Sequence, residues 1–272
     1  MLPIQNGGQR GINPLIQNGG QRGSIPLIQV KKARTEKEPR IYDIMMRKLR
    51  DHHRYFAPAE KVQAVSLKSL TKNSDLKSET EYVRVTRREI GSQTLEERIK
   101  DYTKKLPSSA PEKIEDYYDH IVHGLLKLKE LHIVHFNIHP SNIIYSDSEY
   151  YPVITDFSQA FILEDLYNED TMKSVFAKPH PPHRCMEAIF ISAILAAEPT
   201  EWKTKKVSLA VLEEVLKERF LPEEEREKWE KYIQKLGNKK KEGKQVVDDL
   251  LRNWDTWDLY SVEGGFAPLR PP

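Results

Sequence analysis

The chain has 272 residues, of which 38% are hydrophobic and 31% charged, enough for one sizeable domain or two small lobes. Its 43 Lys and Arg against 41 Asp and Glu leave a formal net charge of +2, which gives no reason to expect a nucleic-acid or membrane partner. The single cysteine, Cys185, excludes an intramolecular disulfide and fits a reducing compartment. Because no apolar run approaches the ~20 residues of a membrane span and no signal peptide is evident, we expect a cytoplasmic protein.

The first 24 residues contain a duplication, in which PIQNGGQRG at 3–11 recurs as LIQNGGQRG at 15–23. Asn-Gly-Gly between short apolar runs is a turn signal, so each copy fits either a hairpin or a flexible leader with no ligand. Segment 27–33 then alternates like a strand and carries Lys31 and Lys32.

Apolar periodicity predicts the elements that follow. A helix is expected over 39–51, and the period-two segments 62–67 and 82–86 are expected to pair as antiparallel strands. Ser109 and Glu112 have capping-box spacing before a long apolar stripe that ends at Leu128. Further helices are predicted over 184–197, 208–219, 223–236 and 244–253, with Gly237 as a stop signal.

Three motifs suggest a family. Residues 135–144 read HFNIHPSNII, a strand-like segment then leads to Asp156-Phe157-Ser158, and 254–264 read WDTWDLYSVEG. These resemble the protein-kinase catalytic loop H-R-D-x-K-P-x-N, the D-F-G motif, and the D-x-W-S-x-G start of the kinase F helix. Their wording is similar to divergent kinase-like proteins of large DNA viruses.

The resemblance implies an α+β, bilobal protein-kinase-like fold. The expected organisation is a leader over 1–24 that includes a degenerate glycine loop, a small β-rich N-lobe over 25–91, and a mainly helical C-lobe over 92–272. The C-lobe is expected to be incomplete after the F-helix start, with the helical stretch 208–253 replacing part of what is missing. Asp258 is expected to anchor the backbone beneath His135.

The resemblance also implies a site for ATP and Mg²⁺. Asn142 and Asp156 match the residues that hold the magnesium ions in the family. Lys31, with Lys32 as the alternative, matches the lysine that contacts the phosphates.

Other nucleotide contacts are implied by position. Gly20 and Gly23 fall in the glycine loop, and backbone groups from Glu89 to Gly91 would meet the adenine edge. In the predicted helix 39–51, Asp43 or Tyr42 occupies the place of a glutamate that pairs with the lysine.

Three letters depart from the family pattern: Asn137 replaces the catalytic Asp, His139 replaces a Lys, and Ser158 replaces the Gly. A carboxamide does not take a proton at neutral pH, and losing general-base catalysis typically lowers the rate by about 10²–10⁴-fold. A histidine neutralises phosphate less well than a lysine.

Several functions remain open from these residues. The first is a pseudokinase with a regulatory or binding role, an unidentified protein partner and possible ATP binding; the second is an active divergent Ser/Thr protein kinase with a protein substrate. A small-molecule phosphotransferase is a third, and a decayed fold whose polar residues only satisfy buried backbone is a fourth. His180 and His183 lie between prolines, which favours an extended loop over a metal site.

Overall fold

The computed structural model describes residues 27–32, 37–58, 61–65, 82–87, 90–91, 93–146, 150–177 and 183–269. This part of the chain is mixed α/β, mostly helical, with small sheets. The helices are α1 Lys37–Lys48, α2 His52–Tyr55, α3 Leu95–Lys105, α4 Ala110–Glu130, α5 Glu169–Phe176, α6 Met186–Ala197, α7 Leu209–Glu218, α8 Glu223–Lys239, α9 Gly243–Leu251 and α10 Trp257–Phe266. The strands are β1 Leu27–Lys32, β2 Phe56–Ala57, β3 Lys61–Val65, β4 Tyr82–Arg87, β5 Ile133–Val134, β6 Ile143–Ser146, β7 Tyr151–Thr155 and β8 Phe161–Ile162.

The strands form three small sheets. In the first, with order β1-β4-β3, the predicted antiparallel pairing is confirmed, and Val62 lies opposite Val85. In the second, β6 and β7 form an antiparallel hairpin and β2 adds in parallel to β7. In the third, β5 pairs with β8. The β6–β7 hairpin brings residues 142 and 156 to one end of the second sheet.

Helix α4 carries one of two apolar cores. Its predicted stripe is buried at Ile114, Tyr117, Ile121, Leu125 and Leu128, and it packs with residues of α1, α3 and the second sheet. No helix in the described ranges is both long enough and apolar enough to cross a membrane.

The start of α4 differs from the prediction. Pro111 lies in its first turn as expected, but the Ser109 side chain makes no capping bond to the helix, and its hydroxyl donates instead to the Leu106 carbonyl. A reciprocal capping box is present at α3, between Thr94 and Glu97. The Ser-x-x-Glu spacing therefore fails at 109, because Ser109 has helical backbone angles there rather than the extended angles of a capping residue.

Helices α5 to α9 build the second core. It also contains Phe136, Phe161 and Trp257, and the Trp257 ring contacts Phe136 and Phe176. The long helical stretch predicted over 208–253 thus packs beneath the segment 135–142.

Gly237 does not end a helix, contrary to the prediction. It lies inside α8, which continues to Lys239 and ends where Lys240 takes a left-handed conformation. A Cβ at Gly237 would lie 2.7 Å from Leu209 Cδ1, so this glycine permits a close approach between α7 and α8.

Gly243 provides a test of the second core. An added Cβ would lie 1.9 Å from the Trp202 carbonyl oxygen, so Gly243→Ala should force backbone movement and destabilise the fold by about 1–3 kcal/mol. In the control Gly264→Ala, the nearest atom is 3.7 Å away, and alanine within α10 should be neutral or stabilising by up to ~1 kcal/mol. Urea unfolding of both variants measures the difference; equal midpoints would contradict this packing.

Candidate functional site

The segment 135–142, here named the central loop, joins β5 to β6. The Asn142 side chain donates from Nδ2 to the Asn137 carbonyl at 2.9 Å, and Thr155 Oγ1 donates to the Asn142 carbonyl at 2.8 Å. Asp156 directly follows β7 in a left-handed conformation, with φ 61° and ψ 61°. These contacts bring Asn137, Asn142 and Asp156 together at the open end of the β6–β7 hairpin.

Asp258, in the first turn of α10, holds the central loop from below. Its Oδ2 accepts the His135 N–H at 2.6 Å and its Oδ1 accepts the Phe136 N–H at 2.8 Å, which confirms the predicted anchor. Burial raises the pKa of Asp258 to about 6, while these two N–H bonds and the nearby Arg184 oppose that rise. Two consecutive backbone donors are thereby satisfied inside the protein.

His135 connects the loop to the residues after β7. Its Nδ1 accepts the Asn137 N–H at 3.3 Å, so Nε2 carries the proton and donates to the Thr155 carbonyl at 2.9 Å. Its ring meets the fully buried Phe157 edge to face, with centroids 4.5 Å apart. The position of the central loop is therefore coupled to that of Asp156 through its neighbours on both sides.

Asn137 is only 3% exposed. Its Nδ2 is buried and has no hydrogen-bond partner among the described residues. A neutral carboxamide in this position can orient an oxygen ligand but cannot remove its proton.

His139 lies half-buried on the central loop, with its ring 5.2 Å from that of His183. Burial lowers the pKa of His139, while the negative charges of Asp156 and Glu96 act in the opposite direction. Burial also lowers the pKa of His183 to about 4. At neutral pH both rings are therefore neutral, and His139 provides no positive charge where the kinase pattern has a lysine.

Two close approaches fix the edges of the site. A Cβ at Gly91 would lie 2.3 Å from the Tyr145 carbonyl oxygen, so residue 91 packs directly on β6. A Cβ at Gly265 would lie 3.0 Å from Pro140 Cδ, so α10 also packs closely against the central loop.

Several predicted site residues are not tested by the described part of the structure. Gly20, Gly23 and Glu89 lie outside the described residues. The backbone of Lys31 lies in β1 opposite Val83, and its side chain is outside the described part of the structure, as is that of Lys32.

Helix α1 contains two acidic residues, of which one is buried. Asp43 lies on the exposed face, whereas Glu38 is fully buried. Glu38 shares one face with the buried Ile41 and Met45, at the spacing i, i+3, i+7. That spacing was the available signal, and this helix contacts the turn Phe157–Gln159 beside Asp156.

Arg184 also belongs to the site and was missed. It is 3% exposed and donates from Nη2 to the Phe136 carbonyl at 2.6 Å and to Gln159 Oε1 at 2.9 Å. Those partners lie 48 and 25 residues away in the chain, so no local pattern could have indicated them.

The donors at this site suit a hard cation. Within the described residues, no group of three or more His, Cys, Asp or Glu side chains is arranged to hold a metal ion, and His180 lies outside them. Mg²⁺ is typically bound by one or two carboxylates plus phosphate oxygens and water rather than by a full protein cage. The Asn142 amide oxygen and the Asp156 carboxylate fit that partial ligand set.

Comparisons with known proteins add little. No protein-family model matches the sequence, and no curated protein matches it. Among solved structures, the chain is similar to the crystal structure of a Stt7 homolog from Micromonas algae soaked with ATP, with 14% identity and a TM-score of 0.35 over 50% of this chain. The match spans 43% of that chain's length. A likeness this slight establishes neither the fold nor the function of the chain.

The anchoring role of Asp258 can be tested by mutation. Asp258→Ala leaves two buried N–H groups unpaired, so the free energy of unfolding should fall by about 2–5 kcal/mol. The control is Asp255→Ala, which removes a surface ion pair with Lys129 and should cost less than ~1 kcal/mol. Urea denaturation at pH 7.5 compares them; an Asp258→Ala variant as stable as the control would show that the anchor does not stabilise the loop.

Proposed function

We propose that this chain is a protein-kinase-like protein that binds ATP together with Mg²⁺ at the open end of the β6–β7 hairpin. With Asn137 in place of a base, it transfers phosphate slowly or not at all and serves as a binding or regulatory module. The proposal is carried by the hydrogen bonds of Asn142 on the loop that Asp258 anchors: its side chain donates to the Asn137 carbonyl, and its own carbonyl accepts from Thr155, the residue before Asp156.

The hydrogen bonds of Asn142 support the magnesium part of the proposal. Its Nδ2 donates to Asn137, which leaves Oδ1 as the atom able to bind a cation. Asp156 adds a carboxylate at the same end of the hairpin. Phosphoryl transfer depends mainly on positioning and on neutralising phosphate charge, and a magnesium ion held here would supply that neutralisation. Since two protein oxygens do not complete an octahedral shell, metal and nucleotide are expected to bind together.

The charges around the loop support weak catalysis. Asn137 is not a base, and His139 is neutral at neutral pH because burial lowers its pKa. The site therefore has no proton acceptor at position 137 and no cation at position 139. It retains the parts that would bind and orient a nucleotide.

Binding can be tested by thermal unfolding. A ligand specific for the folded state stabilises it by mass action, so ATP with Mg²⁺ at a hundredfold excess over Kd should raise the Tm by about 5–10 °C. The shift should disappear in EDTA and in Asp156→Ala, and it should persist in Asp119→Ala, a change on the exposed face of α4. If saturating ATP leaves the Tm unchanged with and without Mg²⁺, the chain does not bind nucleotide.

The alternative, an active Ser/Thr protein kinase, is distinguished by restoring the carboxylate. Under the proposal, Asn137→Asp should raise phosphate transfer to a generic protein substrate by at least tenfold, because general-base catalysis contributes about 10²–10⁴-fold. Incorporation of radiolabelled phosphate measures it, with Asn137→Asp/Asp156→Ala as the background. Robust transfer by the wild type that falls in Asn137→Asp would favour the active kinase.

A further inference from the structure

Phe136 has an unusual backbone that is held from two sides. Its φ is 64°, in the left-handed region that is unfavourable for a bulky residue. Its N–H donates to Asp258, and its carbonyl accepts from Arg184 Nη2. The Arg184 guanidinium carbon lies 3.5 Å from the centre of the Phe136 ring. Asp258 and Arg184 therefore bind the backbone N–H and the carbonyl of the same residue.

Arg184 connects three parts of the chain. Besides Phe136 it binds Gln159, three residues after Asp156, and its own carbonyl accepts from Arg219 at 3.3 Å. A buried guanidinium is costly unless hydrogen-bonded. Burial lowers the pKa of Arg184 to about 10, so it remains charged at neutral pH. Its cation is balanced by neutral oxygens, an aromatic face and the nearby Asp258.

We infer that Arg184 is a positioning residue that holds the central loop in its site conformation without phosphorylation of the chain. Kinase segments are often ordered when an added phosphate pairs with arginine. Here the guanidinium is 3% exposed and already bound to the loop, so a phosphate in solvent neither reaches it nor is needed to place it. This inference deepens the proposed function and rests on it only for what the central loop binds. The contacts of Arg184 with Phe136 and Gln159, here named the clamp, do not depend on that function.

Hydrogen exchange tests the clamp without nucleotide. The protein is treated with phosphatase, and intact mass confirms that it is unphosphorylated. In Arg184→Met, peptides covering the central loop should exchange at least tenfold faster than in wild type, while peptides from α7 and α8 should keep their rates. Arg184→Lys retains the charge but lacks the planar guanidinium that stacks on the ring and donates two hydrogen bonds. Its loop exchange rate should lie between those of wild type and Arg184→Met.

The matched control is Arg226→Met. Arg226 donates to the Leu216 and Arg219 carbonyls, away from the loop, so its removal should leave loop exchange unchanged. If exchange in Arg184→Met accelerates equally in all peptides, Arg184 only stabilises the fold as a whole, and the inference is overturned. So would unchanged loop exchange in both Arg184 variants; if Arg184→Met does not fold, Arg184→Lys decides.

Affinity for ATP with Mg²⁺, measured well below the Tm, separates the two proposals. It should weaken at least fivefold in Arg184→Met but not in Arg226→Met, and phosphatase treatment should leave the wild type unchanged. A wild type that binds only when phosphorylated overturns the inference. A wild type that never binds nucleotide overturns the proposed function, while the exchange result still decides the clamp.

Discussion

The structure depends on a buried carboxylate that accepts two consecutive backbone N–H groups. Asp258 makes these bonds at the point where the central loop passes between the two apolar cores. Ile133 and Ile138 belong to the core around α4, whereas Val134 and Phe136 belong to the core of α5 to α9. Helix α10 has the same division, with Trp257 in one core and Phe266 in the other. Asp258 thus joins two segments, residues 133–138 and helix α10, each of which contributes side chains to both cores.

The contacts that place the central loop do not depend on the side chain of Asn137. The bonds that place Asn137 and Asn142 use the Asn137 main chain, the His135 ring and the Asn142 side-chain amide. A carboxamide or a carboxylate side chain at position 137 would therefore leave these bonds intact. Under the proposed function, this arrangement suits the holding of a ligand more than its transformation.

Asp258 and Arg184 stabilise the central loop through different backbone groups of Phe136. Asp258 satisfies donors and Arg184 satisfies an acceptor, so the peptide groups on both sides of a strained residue are paired. Their opposite charges lie close together inside the protein, which lessens the unfavourable burial of each. Charge balance and hydrogen bonding therefore support the same backbone conformation.

Short-range patterns in the sequence determined most of the elements and the motif residues. The stripe of α4, the pairing of β3 with β4 and the anchor at Asp258 follow from periodicity or from motif wording. The roles of Lys31, Gly20, Gly23 and Glu89 stay predictions. Tertiary structure alone decided that Gly237 lies within a helix and that Arg184 reaches the central loop. These outcomes depend on which surfaces pack together across long stretches of chain, and local propensity carries no information about such contacts.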